Sequence, residues 1–152
     1  MVHLDNKVTI ITGASSGIGR ATAILFSNLG SKLVLSGRDE NALNETIQLC
    51  NQNIDKKECI LKVVGDLTNA DLCQKIVDES IKKFKKIDVL VNNAGFLKTG
   101  SIETIKIEDF DELMDVNVKS VIRLTQLCLP YLIKQQGSIV NVSSVAGWHF
   151  YY

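Results

Sequence analysis

Residues 7–29 read KVTIITGASSGIGRATAILFSNL, and this stretch decides the fold. The apolar run at 7–12 has the length and the Val/Ile content of a buried β-strand. A glycine-rich turn follows it, and helical spacing after the turn predicts a helix over 17–29 with one apolar stripe, formed by Ile18, Ala21, Ile24, Leu25 and Leu29. A strand, a glycine turn and a helix in this order favour phosphate binding, because glycine permits close approach and a helix N-terminus attracts anions.

The same alternation continues to the end of the chain. Four further apolar runs predict strands, at 32–36, 59–64, 88–91 and 138–142. Helical patterns lie between them at 41–51, at 69–84 with Thr68 as the expected N-cap, and at 118–133. This order predicts an α/β, doubly wound parallel sheet of the Rossmann type, here truncated after the fifth strand. We expect residues 1–152 to form a single domain that is incomplete at its C-terminus.

Charge and cysteine content exclude several classes of protein. Seventeen basic residues balance seventeen acidic ones, so no net charge attracts nucleic acid or an anionic membrane. The four cysteines form no C-x-x-C pair and have no metal-ligand spacing to a histidine, which favours reduced thiols and no metal site. Neither a signal peptide nor a run long enough to span a membrane is visible. We therefore expect a cytoplasmic protein.

The segment at 118–133 differs from the other predicted helices because it has almost no polar face. A helix that is apolar all round must be covered on more than one side. The sheet can cover one side, and the other requires more chain or another subunit. We expect the intact form to be a homo-oligomer through this helix.

The glycine turn has the spacing T-G-x-x-x-G-x-G at 12–19, which is neither G-x-G-x-x-G nor a Walker loop. It lacks the Lys-Ser/Thr pair of the Walker loop, so the pattern does not favour an NTPase. A tight turn without a ligand remains the alternative at this point.

Four more motifs accompany the turn in order along the chain. They are Gly65-Asp66-Leu67 after the third predicted strand, Asn92-Asn93-Ala94-Gly95 after the fourth, Val116-Asn117-Val118 at the apolar helix, and Ser143-Ser144 after the fifth strand. Together with the turn they resemble the classical short-chain dehydrogenase/reductase family over the whole chain. The resemblance implies hydride transfer between a nicotinamide cofactor and a small-molecule carbonyl or alcohol substrate, on a dinucleotide-binding domain.

The resemblance also implies cofactor contacts, which we expect along the carboxyl ends of the strands. The turn would bind the pyrophosphate side of the cofactor, through Gly13, Ser15, Ser16, Gly17, Ile18 and Gly19. Asp66 and Leu67 would meet the adenine, and Asn93, Ala94 and Gly95 the ribose and the path to the nicotinamide. Asn92 is expected chiefly to tie strands together. At the end of the second strand the chain has Gly37-Arg38-Asp39, and Arg38 without an acid at 37 predicts NADP rather than NAD. Asp39 is expected to cap the next helix.

The same family pattern implies two catalytic positions. Ser144 would hold the substrate oxygen, and Asn117 would support a proton-relay water. The family's Y-x-x-x-K motif would fall beyond Tyr152, and neither Tyr151 nor Tyr152 has the right spacing from Ser144. We expect this chain alone to have little turnover. A non-catalytic NADP-binding or regulatory module is the alternative function.

Overall fold

The structure, a computed structural model, describes residues 3–50 and 57–144. Its strands are β1 (Val8–Thr12), β2 (Lys32–Gly37), β3 (Ile60–Val64), β4 (Val89–Asn92) and β5 (Ser138–Asn141). Its α-helices are α1 (Gly17–Asn28), α2 (Glu40–Cys50), α3 (Ala70–Phe84), α4 (Ile107–Met114) and α5 (Ser120–Gln135). A 3-10 turn at Lys57–Cys59 precedes β3, and a π-helix at Asp115–Lys119 joins α4 to α5. The predicted end of the second helix at Asn51, and Tyr151 and Tyr152, lie outside the described residues.

The five strands form one parallel sheet in the order β3-β2-β1-β4-β5. This confirms the predicted doubly wound α/β fold. The chain moves outward from β1 to β3 in one direction and then crosses to β4 on the other side of β1. The strand order therefore reverses between β1 and β4, and the carboxyl ends of these two strands flank the crevice where such sheets bind ligands.

The two faces of the sheet carry separate apolar cores. On one face Val8, Ile10 and Val34 pack with side chains of α3 and α5. On the other face Ile11 and Leu33 pack with side chains of α1 and α2. Alternate residues of a strand point to opposite faces, so the all-buried strand β1 supplies both cores.

The predicted apolar stripe of α1 is wrong. Ile18 is 64% exposed and Leu25 is 55% exposed, whereas the buried positions of this helix are Gly19, Ala23 and Ser27. Small residues face the sheet because α1 approaches the glycine turn closely. Larger side chains on that face would push the helix away from it.

Two local features differ from the predictions at α3 and α5. The N-cap of α3 is Asn69, not Thr68: the Asn69 side chain accepts a hydrogen bond from the Asp71 N–H at 2.8 Å. Thr68 instead donates both its N–H and its hydroxyl to Asp66 Oδ1. The helix predicted at 118–133 begins at Ser120 and continues to Gln135, and the preceding helix α4 was not predicted.

One face of α5 is buried and the other is open. Ser120, Leu124, Cys128 and Leu132, spaced four residues apart, face the sheet and α3. Burial, and secondarily the neighbouring Cys73 thiol, raises the pKa of Cys128 to about 12, so it packs as a neutral thiol. Ile122, Leu129 and Ile133 remain exposed on the other side. No helix in the described part of the chain is both long and apolar enough to cross a membrane.

Candidate functional site

Hydrogen bonds join the ends of β1 and β4 at the reversal point of the sheet. The Thr12 hydroxyl accepts the backbone N–H groups of Asn93 and Ala94, both at 3.0 Å. In return the Asn93 amide nitrogen donates to the carbonyl oxygens of Thr12 at 3.0 Å and Gly13 at 3.3 Å. Asn93 therefore fixes the glycine turn against β4, a structural role in addition to the cofactor contact that the sequence predicts.

Three glycines of the turn meet different constraints. A Cβ on Gly13 would lie 2.9 Å from Ala94 Cα, and its φ of 64° is in the left-handed region. A Cβ on Gly19 would lie 2.3 Å from the Gly13 carbonyl oxygen. Gly17 also has a positive φ, 52°, but a Cβ there would meet nothing within 4 Å. Gly13 and Gly19 thus permit the close packing of α1 on the turn, and Gly17 faces open space.

The carbonyl side of the turn is held by α1 and α2. Arg20 Nη2 donates to the Ser15 carbonyl oxygen at 2.6 Å. The buried Thr46 hydroxyl, which has one proton to donate, lies 2.9 Å from the Ala14 carbonyl oxygen and 3.0 Å from the Ala42 carbonyl oxygen. Arg20 Nε also donates to the Thr46 hydroxyl at 3.0 Å. These bonds join the two side chains and the turn into one network.

The amide side of the turn is open. Within the described residues the N–H groups of Ser15 and Ser16 donate to no acceptor, and both residues lie at the surface of the turn where α1 begins. The first N–H groups of α1 add to this set, because a helix leaves them without intrahelical partners. Exposed Ile18 lies beside them. Unpaired amides at a helix N-terminus fit a phosphate group.

Two of the predicted cofactor residues meet at the ends of β2 and β3. Arg38 Nη1 lies 3.9 Å from Asp66 Oδ2, and the Arg38 side chain is 69% exposed. Asp39 Oδ1 accepts the Ala42 N–H at 3.0 Å, which confirms its expected role as the cap of α2. The Leu67 side chain is buried in the core, so its backbone is the part that remains for an adenine contact.

Asn117 lies within the π-helix and fastens the loop after β4. Its Oδ1 accepts the Phe96 N–H at 3.0 Å and its Nδ2 donates to the Phe96 carbonyl oxygen at 2.9 Å. A Cβ on Gly95 would lie 3.1 Å from Asn117 Oδ1. Lys98 binds the same loop to α4 through Asp109 and Glu112, and these hydrogen bonds raise the pKa of Lys98. The side chain of Asn117 therefore contacts Phe96 and lies beside Gly95.

Asn92 joins the end of β4 to neighbouring elements, and the predicted catalytic residue Ser144 follows β5. Asn92 donates to Asn141 Oδ1 at 2.9 Å and to the Thr125 hydroxyl at 3.2 Å, so it ties β4 to β5 and α5 as expected. Ser144 lies three residues beyond β5 and is exposed. No group of three or more His, Cys, Asp or Glu side chains in the described ranges could hold a metal ion.

A family model described as short chain dehydrogenase matches residues 7–151. The chain belongs to this family of oxidoreductases. It is 39% identical over 147 residues to a 3-oxoacyl-(acyl-carrier-protein) reductase, FabG, of Thermotoga maritima, covering 96% of this chain and 58% of the reductase. The chain therefore spans little more than half the length of that relative.

Solved structures of short-chain dehydrogenases have the same fold. One from Caenorhabditis elegans, of unknown function and solved with cofactor, has a TM-score of 0.86 and 39% identity; the match covers 93% of this chain and 54% of that one. One from Burkholderia phymatum in complex with NAD has a TM-score of 0.87 and 35% identity, over 97% of this chain and 52% of that one. Members of the short-chain dehydrogenase family bind nicotinamide cofactors.

Sequence reasoning missed Arg20 and Thr46. A cation in the first turn of a helix is unfavourable next to the helix dipole, so the position of Arg20 indicates that acceptors lie close to it. Thr46 falls one turn after the buried Leu43 in α2, where a polar residue on an apolar face indicates a hydrogen-bond partner. Neither signal identifies the contact between Arg20 and Thr46, because the two residues lie on different helices, 26 residues apart.

Proposed function

We propose that this chain is the cofactor-binding portion of an NADP(H)-dependent oxidoreductase that acts on a carbonyl or alcohol substrate. One observation carries the proposal. The open amides of Ser15 and Ser16 and the exposed guanidinium of Arg38 lie along the same carboxyl edge of the sheet, where a dinucleotide crosses the reversal point. Amides at a helix N-terminus suit a pyrophosphate, and a guanidinium suits a further phosphate.

Different residues of the site would bind different parts of the cofactor. The turn from Gly13 to Gly19 would hold the pyrophosphate, with exposed Ile18 against the cofactor. Asp66 and the Leu67 backbone would contact the adenine. Asn93, Ala94 and Gly95 would border the ribose and lead toward the nicotinamide. When bound, the nicotinamide accepts or supplies the hydride.

The choice of NADP over NAD rests on the end of β2. An acid that binds the ribose 2′-hydroxyl favours NAD, and position 37 is a glycine. The nearby acid Asp39 caps α2 with one carboxylate oxygen. Among the described residues Arg38 is held only by an exposed ion pair of 3.9 Å with Asp66, and such a pair contributes at most about 1 kcal/mol. A 2′-phosphate can therefore recruit Arg38 at small cost.

The substrate side is the loop after β4 together with the end of β5. Asn117 holds the Phe96 backbone by two hydrogen bonds, which orders the loop beside Gly95. The Ser144 hydroxyl would orient the substrate oxygen, and Asn117 would support the water that relays the proton. The exposed apolar side of α5, with Ile122 and Ile133, supports oligomerisation of the intact form through 118–133. The unbridged thiols Cys73 and Cys128 support a cytoplasmic location.

Fluorescence titration with NADPH and NADH tests the cofactor assignment. We expect the chain to bind NADPH more tightly, and Arg38→Ala to weaken NADPH by about tenfold or more, because a charged hydrogen bond is lost. NADH binding should be little changed. Lys75→Ala is the control for loss of an exposed cation, since Lys75 pairs with Glu79 on α3, which packs on the opposite face of the sheet from α1 and α2. Equal affinity for both cofactors, unchanged by Arg38→Ala, would contradict the assignment.

A turnover assay separates the two candidate functions. Binding of NADPH without reduction of any carbonyl substrate by a chain extended past Tyr152 would favour the non-catalytic module. Reduction that is lost in Ser144→Ala of that extended chain would support the oxidoreductase.

A further inference from the structure

We infer that Arg20 and Thr46 are positioning residues for the pyrophosphate: they turn the amides of the glycine turn toward the ligand without touching it. The inference rests on the proposed cofactor function and names two residues of that site that the family resemblance does not supply. It follows from the orientation of two peptide groups.

The carbonyl oxygens of Ala14 and Ser15 are bound on the α2 side of the turn. Thr46 Oγ1 lies 2.9 Å from the Ala14 oxygen, and Arg20 Nη2 lies 2.6 Å from the Ser15 oxygen. A trans peptide places its carbonyl oxygen and the next residue's N–H on opposite sides, and no described peptide is cis. The N–H groups of Ser15 and Ser16 must therefore point away from α2. Within the described residues these two amides have no acceptor, as is also true of the first amides of α1.

The network that holds the carbonyls is itself well supported. Arg20 Nε donates to Thr46 Oγ1 at 3.0 Å, and Arg20 Nη2 also contacts the Ala42 carbonyl oxygen and Glu45 Oε2 at 3.1 and 3.0 Å. Thr46 is completely buried. With one planar group held by several acceptors, the guanidinium has little freedom to rotate.

Without these two side chains the turn would lose the bonds that fix its peptide orientation. Thr46→Val keeps the size of the side chain and removes the hydroxyl, which leaves the buried Ala14 oxygen without this donor. The peptide between Ala14 and Ser15 could then rotate, and the Ser15 N–H would leave the pyrophosphate. The affinity for a ligand that has a 2′-phosphate but no pyrophosphate would be unaffected.

Calorimetric titration of the 152-residue chain with two probes tests this division. Both probes carry adenosine; ADP adds the pyrophosphate, and adenosine 2′-monophosphate adds the 2′-phosphate proposed for Arg38. We expect Thr46→Val to weaken ADP by about tenfold, a change that corresponds to about 1.4 kcal/mol, and to leave adenosine 2′-monophosphate unchanged. Thr46→Ser should restore ADP binding, because it restores the hydroxyl. Arg20→Gln, which leaves the core intact, should give the same split between the probes.

Ser80→Ala is the matched control for loss of a buried hydroxyl, because Ser80 bonds the Ile76 carbonyl within α3, away from the turn. It should lower thermal stability without changing either affinity. Equal weakening of both probes by Thr46→Val, or no weakening of ADP, would overturn the positioning role while the cofactor assignment stands. Failure of the unmodified chain to bind either probe would overturn the proposed function and this inference with it.

Discussion

Asp88, at the amino end of β4, is a buried carboxylate whose neutralisation should cost stability in a pH-dependent way. It is 2% exposed, and it accepts the Val8 N–H at 2.9 Å and the ammonium groups of Lys7 and Lys86 at 3.0 Å each. Burial opposes its charge, but the hydrogen bonds from Val8, Lys86 and Lys7 outweigh burial and lower the pKa of Asp88. The perturbation is Asp88→Asn, which keeps the shape and removes the charge.

The structure sets the size of the effect. The asparagine oxygen at the Oδ2 position can still accept the Val8 N–H, so the loss comes from the two charged hydrogen bonds. The Lys86 bond loses the carboxylate charge, and the Lys7 bond is lost because the asparagine NH2 at the Oδ1 position faces the Lys7 ammonium group. Each such bond contributes about 1.5–3 kcal/mol when shielded, but both lysines are partly exposed, which reduces the value. We expect a loss of about 2 kcal/mol at pH 7, or about 1 M urea at the unfolding midpoint for a typical m-value.

The sign of the pH dependence follows from the lowered pKa. The stabilisation from Asp88 is complete above its unfolded pKa, about 3.9, and is lost as the pH falls through the folded value. The difference in unfolding free energy between the unmodified chain and Asp88→Asn should therefore shrink below about pH 4. Urea denaturation followed by circular dichroism at pH 7 and in acid measures it.

Asp78→Asn is the control for the assay. Asp78 is exposed and accepts one bond from Gln74, which an asparagine oxygen can still accept. It should change stability by less than about 0.5 kcal/mol at either pH. A loss for Asp88→Asn no larger than that of Asp78→Asn, or a loss that grows toward acid, would refute the reasoning.

Two further predictions concern the turn and the cap of α3. Gly19→Ala should weaken NADPH binding by about tenfold or more in a fluorescence titration, because its Cβ would lie 2.3 Å from a backbone oxygen of the turn; unchanged binding would contradict this prediction. Gly17→Ala should lower the unfolding free energy by about 1–2 kcal/mol in urea denaturation, because its φ is positive. Asn69→Ala should lower the unfolding free energy by about 1 kcal/mol through loss of the cap, and Thr68→Ala by less; the reverse order in urea denaturation would show that the cap is misassigned.

Local sequence predicted the sheet and most of its elements. Short runs of Val, Ile and Leu identify the strands, and the five strands lie within one residue of the predicted bounds, although β5 is exposed along its length. The glycine turn was also predicted, because glycines at 13, 17 and 19 between a strand and a helix are typical of a backbone that turns sharply and packs closely. The family motifs then supplied the order of the candidate site.

Hydrophobic spacing predicted the wrong buried face of α1, because this helix is placed by its close approach to the glycine turn and not by the apolar area that it can bury. The stripe of α1 was assigned to Ile18 and Leu25, yet the helix rests on the sheet through Gly19 and Ala23 because it must reach the turn. The spacing of Thr68 and Asn69 is equally compatible with either cap, and the bond from Thr68 to Asp66 decides between them.

The sequence by itself therefore determined that there is a parallel sheet with a glycine turn after its first strand, since these depend on short stretches of chain. Only the tertiary structure decided which groups meet at that turn. Arg20 of α1 meets Thr46 of α2, and Asn93 reaches across from β4 to Thr12. Their partners come from elements far apart in the chain, and a hydrogen bond depends on distance and direction that no local pattern contains.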